Sequence, residues 1–241
     1  MHHNFLFDLD QTLLDFHASE YIGLKQVITA NGCEFSDEVY HYFKARNKEL
    51  WLELEKGTIS RPELFETRFR LVFGKCGADT SGMDLLKIND DFITEMSKNG
   101  VLMDGSLEFL GKLKENVEGA RIHIVSNGAT RNAVGRIRST GMDRYLDEIF
   151  ISESIGRTKP SADFFEFVMD KTGDPKDSYI VIGDSLTSDM LGAKNASLKS
   201  VWFMPQGDVA KAVKEYDIDY CASSYGELYD VLCGWGRSRI V

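Results

Sequence analysis

Four short apolar runs constrain this chain more than any other feature. They are Asn4–Phe7, Arg121–Val125, Tyr179–Ile182 and Lys199–Phe203, each bounded by turn-forming residues. Each is too short for a helix and rich in β-branched or aromatic side chains, the mark of strands buried on both faces. A weaker run covers Glu148–Ile151. Helix-length segments alternate with them: about Ser106–Asn116, Thr130–Thr140 stopping at Gly141, Ala162–Thr172 stopping at Gly173, and Leu186–Asn195. Glycine directly after a helix supplies a left-handed C-terminal cap, so Gly141 and Gly173 act as stop signals. The alternation predicts an α/β fold, a parallel sheet with helices on both faces. In such sheets ligands gather at the carboxyl ends of the strands.

The stretch from His17 to Gly100 breaks the rhythm. It reads as successive helices: Glu20–Asn31, Asp37–Glu55 behind an N-capping Ser36, one opening at Ser60-Arg-Pro-Glu63, and about Met83–Lys98. Ser60 and Glu63 form a capping-box pattern with proline in the first turn. An all-helical block inserted after the first strand predicts a separate cap domain over residues 17–100. The α/β core then comprises 1–16 and 101–241.

Composition narrows the partners. Of 241 residues 43% are hydrophobic, enough for a globular core. The chain has 38 acidic against 28 basic residues, a net charge of -10. A field of that sign repels polyphosphate backbones and anionic lipid, which argues against a nucleic-acid polymer or a membrane surface as partner. A small anionic substrate remains compatible, because one metal ion and a few lysines can invert the charge locally. No apolar run approaches the roughly 20 residues of a membrane span, and no basic leader with a cleavage site precedes the first strand. The expected compartment is cytoplasmic. Cys33, Cys76, Cys221 and Cys233 show no metal-binding spacing and are expected to be free thiols.

Polar residues cluster where the runs end. The first leads into Asp8-Leu9-Asp10-Gln11-Thr12. Side chains two apart on a strand point the same way, so Asp8 and Asp10 can reach one site. Two carboxylates that close repel each other and favour a divalent cation with oxygen ligands. The second run ends in Ser126-Asn127-Gly128, whose hydroxyl, amide and backbone N–H groups can hold a phosphate oxygen. Lys159-Pro160 precedes a helix and offers a point charge. The fourth ends in Gly183-Asp184-Ser185, with Asp189 just over one helical turn beyond Asp184. Taken singly, each reads equally as a turn or helix cap. Their shared placement at strand ends is what points to a site.

In order and placement, Asp8-x-Asp10-x-Thr12, Ser126, Lys159 and Gly183-Asp184-Ser185-x-x-x-Asp189 resemble the four motifs of the haloacid dehalogenase (HAD) superfamily. The resemblance spans the whole core, and the helical insertion is similar to that family's C1 cap. It implies a Rossmann-like core, a Mg²⁺ ion, and phosphoryl transfer through an aspartyl-phosphate. In those terms Asp8 is the nucleophile and Asp10 the general acid–base. Ser126, Lys159, Thr12 and the Asn127–Gly128 backbone hold the substrate's phosphoryl group. The metal set is Asp8, Asp10 through its carbonyl, Asp184 and Asp189, the last orienting Lys159 or a metal-bound water. Gln11 replaces the more usual glycine or glutamate at a variable position.

A narrower resemblance lies in the cap. Asn47-Lys48-Glu49-Leu50-Trp51, then Gly57-Thr58-Ile59-Ser60, look like the cap of the YjjG-type pyrimidine 5′-nucleotidases of this superfamily, and Ile151–Gly156 with Lys159-Pro160 fits the same group. This implies hydrolysis of nucleoside monophosphates such as dUMP or dTMP; a monomer or homodimer is expected. Independently, Tyr40, Phe43, Asn47, Leu50, Trp51 and Leu54 share one helical face, with Asn47 its polar member. Asn47 and Trp51 therefore become candidate base-contacting residues, or else the rim of the cap's own core. A sugar-phosphate phosphatase or a β-phosphoglucomutase-like mutase shares all the core motifs. A 2-haloacid dehalogenase has no use for an acid at Asp10, and a non-catalytic binding module would be expected to lack at least one of Asp8, Asp10, Lys159 or Asp184.

Overall fold

A computed structural model describes residues 3–235. The chain forms two compact units, one of Met1–Phe16 and Gly100–Val241, the other of His17–Asn99.

The first unit is built on six parallel strands: β1 (His3–Phe7), β2 (Ala120–Ser126), β3 (Glu148–Ile151), β4 (Tyr179–Gly183), β5 (Lys199–Phe203) and β6 (Tyr220–Ala222). Their order across the sheet is β3-β2-β1-β4-β5-β6, so β1 lies at the centre, in register with β2 through Phe7–Ile124 and with β4 through Phe7–Ile182. Alternation along the strands feeds two cores. Phe5, Phe7, Ile122, Ile124, Ile180 and Ile182 pack together on one face, and Leu6, Val125, Tyr179 and Val181 on the other.

The second unit holds α1 (Phe16–Ala30, its first residue still in the sheet unit), α2 (Asp37–Glu55), α3 (Arg61–Lys75) and α4 (Leu85–Lys98). Ser36 caps α2 by accepting from the Val39 N–H, and Ser60 with Glu63 completes the capping box that opens α3. Phe43, Phe69 and Phe92 form its centre, with ring centroids 5.6 to 5.9 Å apart.

The helices of the sheet unit are α5 (Ser106–Asn116), α6 (Thr130–Ser139), α7 (Ser152–Ile155), α8 (Ala162–Thr172), α9 (Leu191–Ala196), α10 (Val209–Tyr216) and α11 (Tyr225–Trp235). α5, α6 and α11 cover the first face of the sheet through Leu110, Ile137 and Leu228, while α8 and α9 cover the second through Phe165 and Ala193.

Two expectations need correction. The segment expected as one helix over Leu186–Asn195 is instead a π-helical turn, Leu186–Met190, followed by the short α9. Strand β6 was not expected at all; at three residues it is too short to show a period. Among the described residues no helix is long and apolar enough to cross a membrane, and all four cysteines are free.

Candidate active site

The carboxyl ends of β1, β2 and β4 place their polar residues along one edge of the sheet. The Asp8 N–H donates to the Ile182 carbonyl at 2.8 Å, which carries the β1–β4 ladder one residue past β1 and fixes the Asp8 backbone. Lys159, in the loop between α7 and α8, reaches into this edge and is only 3% exposed. Its Nζ donates to Asp8 Oδ1 at 2.7 Å, Asp189 Oδ1 at 2.6 Å and the Val125 carbonyl at 2.7 Å.

Those three bonds use every proton of the ammonium. The expected contact of Lys159 with a phosphoryl oxygen has to share one of these protons. A buried lysine without partners would lose its charge. Burial does push the Lys159 pKa down, but the charges and hydrogen bonds of Asp189 and Asp8 outweigh it, and the net shift is upward. For Asp8 burial dominates, with repulsion from Asp189 and Asp10 added, and raises its pKa well above the usual range despite the opposing Lys159.

The π-helical turn explains how Asp189 arrives there. Met190 N–H bonds back five residues to the Ser185 carbonyl at 3.1 Å, and the Ser185 N–H donates to Asp189 Oδ2 at 3.1 Å. The carboxylate then lies so close to Gly183 that a Cβ there would come within 2.2 Å of Asp189 Oδ2. Glycine at 183 is a condition of this approach. Asp184 is partly exposed; burial first, then the Asp189 charge, lifts its pKa to about 6.

Asp8, Asp184 and Asp189 each offer a carboxylate oxygen, and these atoms lie within 4.8 Å of one another. Hard oxygen donors gathered this tightly, two of them with carboxyl pKa values raised by burial and by neighbouring carboxylates, suit a divalent cation such as Mg²⁺. The Asp10 carboxylate is not among them. Arg136 of α6 holds it through Nη1 to Oδ1 at 2.5 Å and Nη2 to Oδ2 at 3.2 Å. Sequence reasoning passed over Arg136. The available signal was a lone arginine in the buried stripe Asn132, Ala133, Arg136 and Ile137.

Ser126 ends β2 and is 3% exposed, while Gly128 is partly exposed beyond it. Asn127, expected to meet the phosphoryl group through its backbone, is exposed. Its side chain donates to the Lys159 carbonyl at 2.7 Å and accepts from the Lys159 N–H at 2.8 Å, so both ends of the amide are used within the protein. Only its backbone is left for a phosphate. Thr12 is fully buried; its carbonyl accepts the Tyr225 hydroxyl at 2.6 Å, and its hydroxyl oxygen has no hydrogen-bond partner. Gln11 adopts a positive φ of 61° and its Oε1 accepts from the Phe16 N–H at 3.0 Å, tying down the start of α1.

In the helical unit, Asn47 accepts from Arg68 Nη1 at 3.4 Å. Tyr40, Phe43 and Leu50 are buried as their shared face predicts, but Trp51 stands at its flank, 37% exposed.

A haloacid dehalogenase-like hydrolase family pattern matches residues 3–197. The chain belongs to that family and is a hydrolase of its kind. Over 230 residues it is 33% identical to the pyrimidine 5′-nucleotidase PynA of Streptococcus pneumoniae, covering 94% of this chain and 93% of that one. It is 29% identical over 234 residues to the pyrimidine 5′-nucleotidase YjjG of Escherichia coli, covering 94% and 96% respectively. Among solved structures, the magnesium-bound HAD-hydrolase YfnB of Bacillus subtilis superposes with a TM-score of 0.81 at 26% identity, covering 96% of this chain and 98% of that one.

Proposed function

We propose that this protein is a Mg²⁺-dependent phosphomonoester hydrolase acting on pyrimidine nucleoside 5′-monophosphates through an aspartyl-phosphate. The observation that carries the reading is Asp8 itself: a buried carboxylate at the end of the central strand, with Oδ1 held by Lys159. Nearly full-length similarity to two pyrimidine 5′-nucleotidases supports the substrate class.

In this mechanism Asp8 Oδ2, which takes no hydrogen bond from the described residues, attacks phosphorus in line with the leaving oxygen. The new Oδ2–P bond forms as the P–O ester bond breaks, and Asp10 delivers a proton to the departing ribose oxygen. Water then attacks the aspartyl-phosphate, gives its proton to Asp10 and releases phosphate and free Asp8. Lys159 fixes the rotation of Asp8 and offsets its charge. Ser126 and the backbone N–H groups of Asn127 and Gly128 hold phosphoryl oxygens. Asp8, the Asp10 carbonyl and Asp184 would hold Mg²⁺, with Asp189 bound mainly to Lys159. When bound, the ion supplies positive charge that offsets repulsion between carboxylate and phosphate. Asn47 and Trp51 are assigned to recognition of the base.

The test is phosphate release from a panel of phosphorylated metabolites with Mg²⁺. Pyrimidine nucleoside monophosphates are expected to give the highest kcat/KM, and a clear preference for a hexose phosphate would move the assignment to a sugar phosphatase.

A further inference from the structure

Asp10 is the acidic residue of the β1 motif whose carboxylate is not part of the cluster of Asp8, Asp184 and Asp189, and Arg136 holds it instead. The two guanidinium Nη atoms each meet a different Asp10 oxygen, at 2.5 and 3.2 Å. A fork of this kind fixes both the place and the rotation of a carboxylate, which a lysine's point charge cannot do. Each Asp10 oxygen keeps a further lone pair for another proton.

Arg136 is itself held tightly. It is 2% exposed, and its guanidinium carbon sits 5.3 Å from the Phe16 ring centroid. Its carbonyl oxygen abuts Gly100, where a Cβ would come within 2.4 Å of it. Its Nε is buried without a hydrogen-bond partner. Stability alone explains this poorly: Asp10 keeps 32% of its side chain exposed, while the guanidinium is desolvated and left with an unsatisfied donor, which is costly.

We propose that Arg136 is a positioning residue for the reaction, holding the Asp10 carboxylate where it can exchange a proton with the leaving-group oxygen. This rests on the reading of Asp10 as general acid in the proposed function. Arg136 acts only through Asp10, so its loss impairs leaving-group protonation and leaves attack by Asp8 unchanged.

The experiment compares kcat/KM, which reports steps through aspartyl-phosphate formation, for two substrates. One is a nucleoside 5′-monophosphate, whose alkoxide needs a proton to leave. The other is 2,4-dinitrophenyl phosphate, whose leaving anion needs none. Arg136→Met is expected to lose on the order of 100-fold on the nucleotide, the scale of a misplaced acid, and less than about 5-fold on the dinitrophenyl ester. Arg136→Lys retains the charge without the fork and is expected to show the same selectivity with a smaller loss. It serves as the readout should Arg136→Met fail to fold. Asp10→Asn/Arg136→Met is expected to be no worse on the nucleotide than Asp10→Asn alone, because a residue acting through Asp10 has nothing to hold once the acid is gone.

Equal losses on both substrates, or additive losses in the double variant, would overturn the proposal and leave Arg136 a structural residue. Asp10→Asn, measured alongside, separates the two levels. If it is selective and Arg136→Met is not, the positioning role fails alone. If Asp10→Asn is itself unselective, the general-acid reading fails and the positioning role fails with it.

Discussion

Asn127 and Lys159 are joined by two reciprocal hydrogen bonds, from Asn127 Nδ2 to the Lys159 carbonyl at 2.7 Å and from the Lys159 N–H to Asn127 Oδ1 at 2.8 Å. The side chain at the end of one strand thereby sets the backbone from which the buried ammonium reaches Asp8. Asn127→Ala removes both bonds and frees the Lys159 backbone to shift. A shift of about 1 Å in such a group is worth on the order of 100-fold, so kcat/KM is expected to fall toward that extent. Unchanged steady-state kinetics would show that Lys159 is placed by its carboxylate partners alone.

The proposed nucleophile can be tested at nearly constant shape. Asp8→Asn keeps the side-chain volume but removes the attacking charge and one ion-pair partner of Lys159. Phosphate release is expected to fall by several orders of magnitude, as losses of catalytic nucleophiles do. Turnover close to wild type on any phosphomonoester would refute the covalent route.

Gly183 tests the geometry of the Asp189 approach. Gly183→Ala introduces a Cβ 2.2 Å from Asp189 Oδ2, 2.4 Å from its Cγ and 2.7 Å from its Cβ, so the whole Asp189 side chain is obstructed. Asp189 must then move off Lys159, leaving a buried ammonium with one carboxylate fewer, and a lost partner in a buried pair commonly costs about 3–5 kcal/mol. Thermal unfolding is expected to show a clear drop in Tm together with a loss of activity. An unchanged Tm would mean the turn adapts more readily than its packing indicates.

Asp184, a proposed metal ligand, makes the stability of the site depend on pH. Burial, with the Asp189 charge behind it, lifts its folded pKa to about 6, against about 3.9 for an unperturbed aspartate. Between those values the folded chain holds the extra proton, so this group's contribution to stability falls as pH rises through that window. Asp8 shifts in the same direction. In EDTA, wild type is expected to lose more Tm between pH 5 and pH 7.5 than Asp184→Asn does. Added Mg²⁺ competes with the proton for the same oxygens, so it is expected to raise Tm more at pH 7.5 than at pH 5. An equal Mg²⁺ effect at both pH values would separate Asp184 from the metal.

How much of this was legible depended on the range of the interaction. The strands bearing Asp8, Ser126 and Asp184 announce themselves because a short apolar run and the polar residue ending it are neighbours in sequence. The capping box at Ser60–Glu63 is equally local, and both of its hydrogen bonds are present. What Asn127, Lys159 and Arg136 touch is a different matter. Asn127 meets a backbone 32 residues away and Arg136 a carboxylate 126 residues away, separations at which no spacing rule operates. The π-helical turn before α9 was hidden for another reason: Leu186–Asn195 carries helical periodicity, and the single wider turn comes from the Asp189 bonds to Lys159 and Ser185.

Trp51 offers the test of substrate class. It stands 37% exposed on α2, four residues beyond Asn47, while Phe43 and Leu50 on the same helix are buried. A large aromatic left out of its own unit's core is available for a planar ligand, and base–aromatic stacking is worth on the order of 1–3 kcal/mol per base. Binding energy from the non-reacting base can be realised in the transition state, so the benefit belongs in kcat/KM. Trp51→Ala is therefore expected to lower kcat/KM for dUMP or dTMP by about 5- to 150-fold, the same energy expressed as a ratio. Hydrolysis of p-nitrophenyl phosphate, which carries no base, is expected to stay near wild type. Equal damage to both substrates would make Trp51 a structural residue of the helical unit and remove the support it lends to nucleotide recognition.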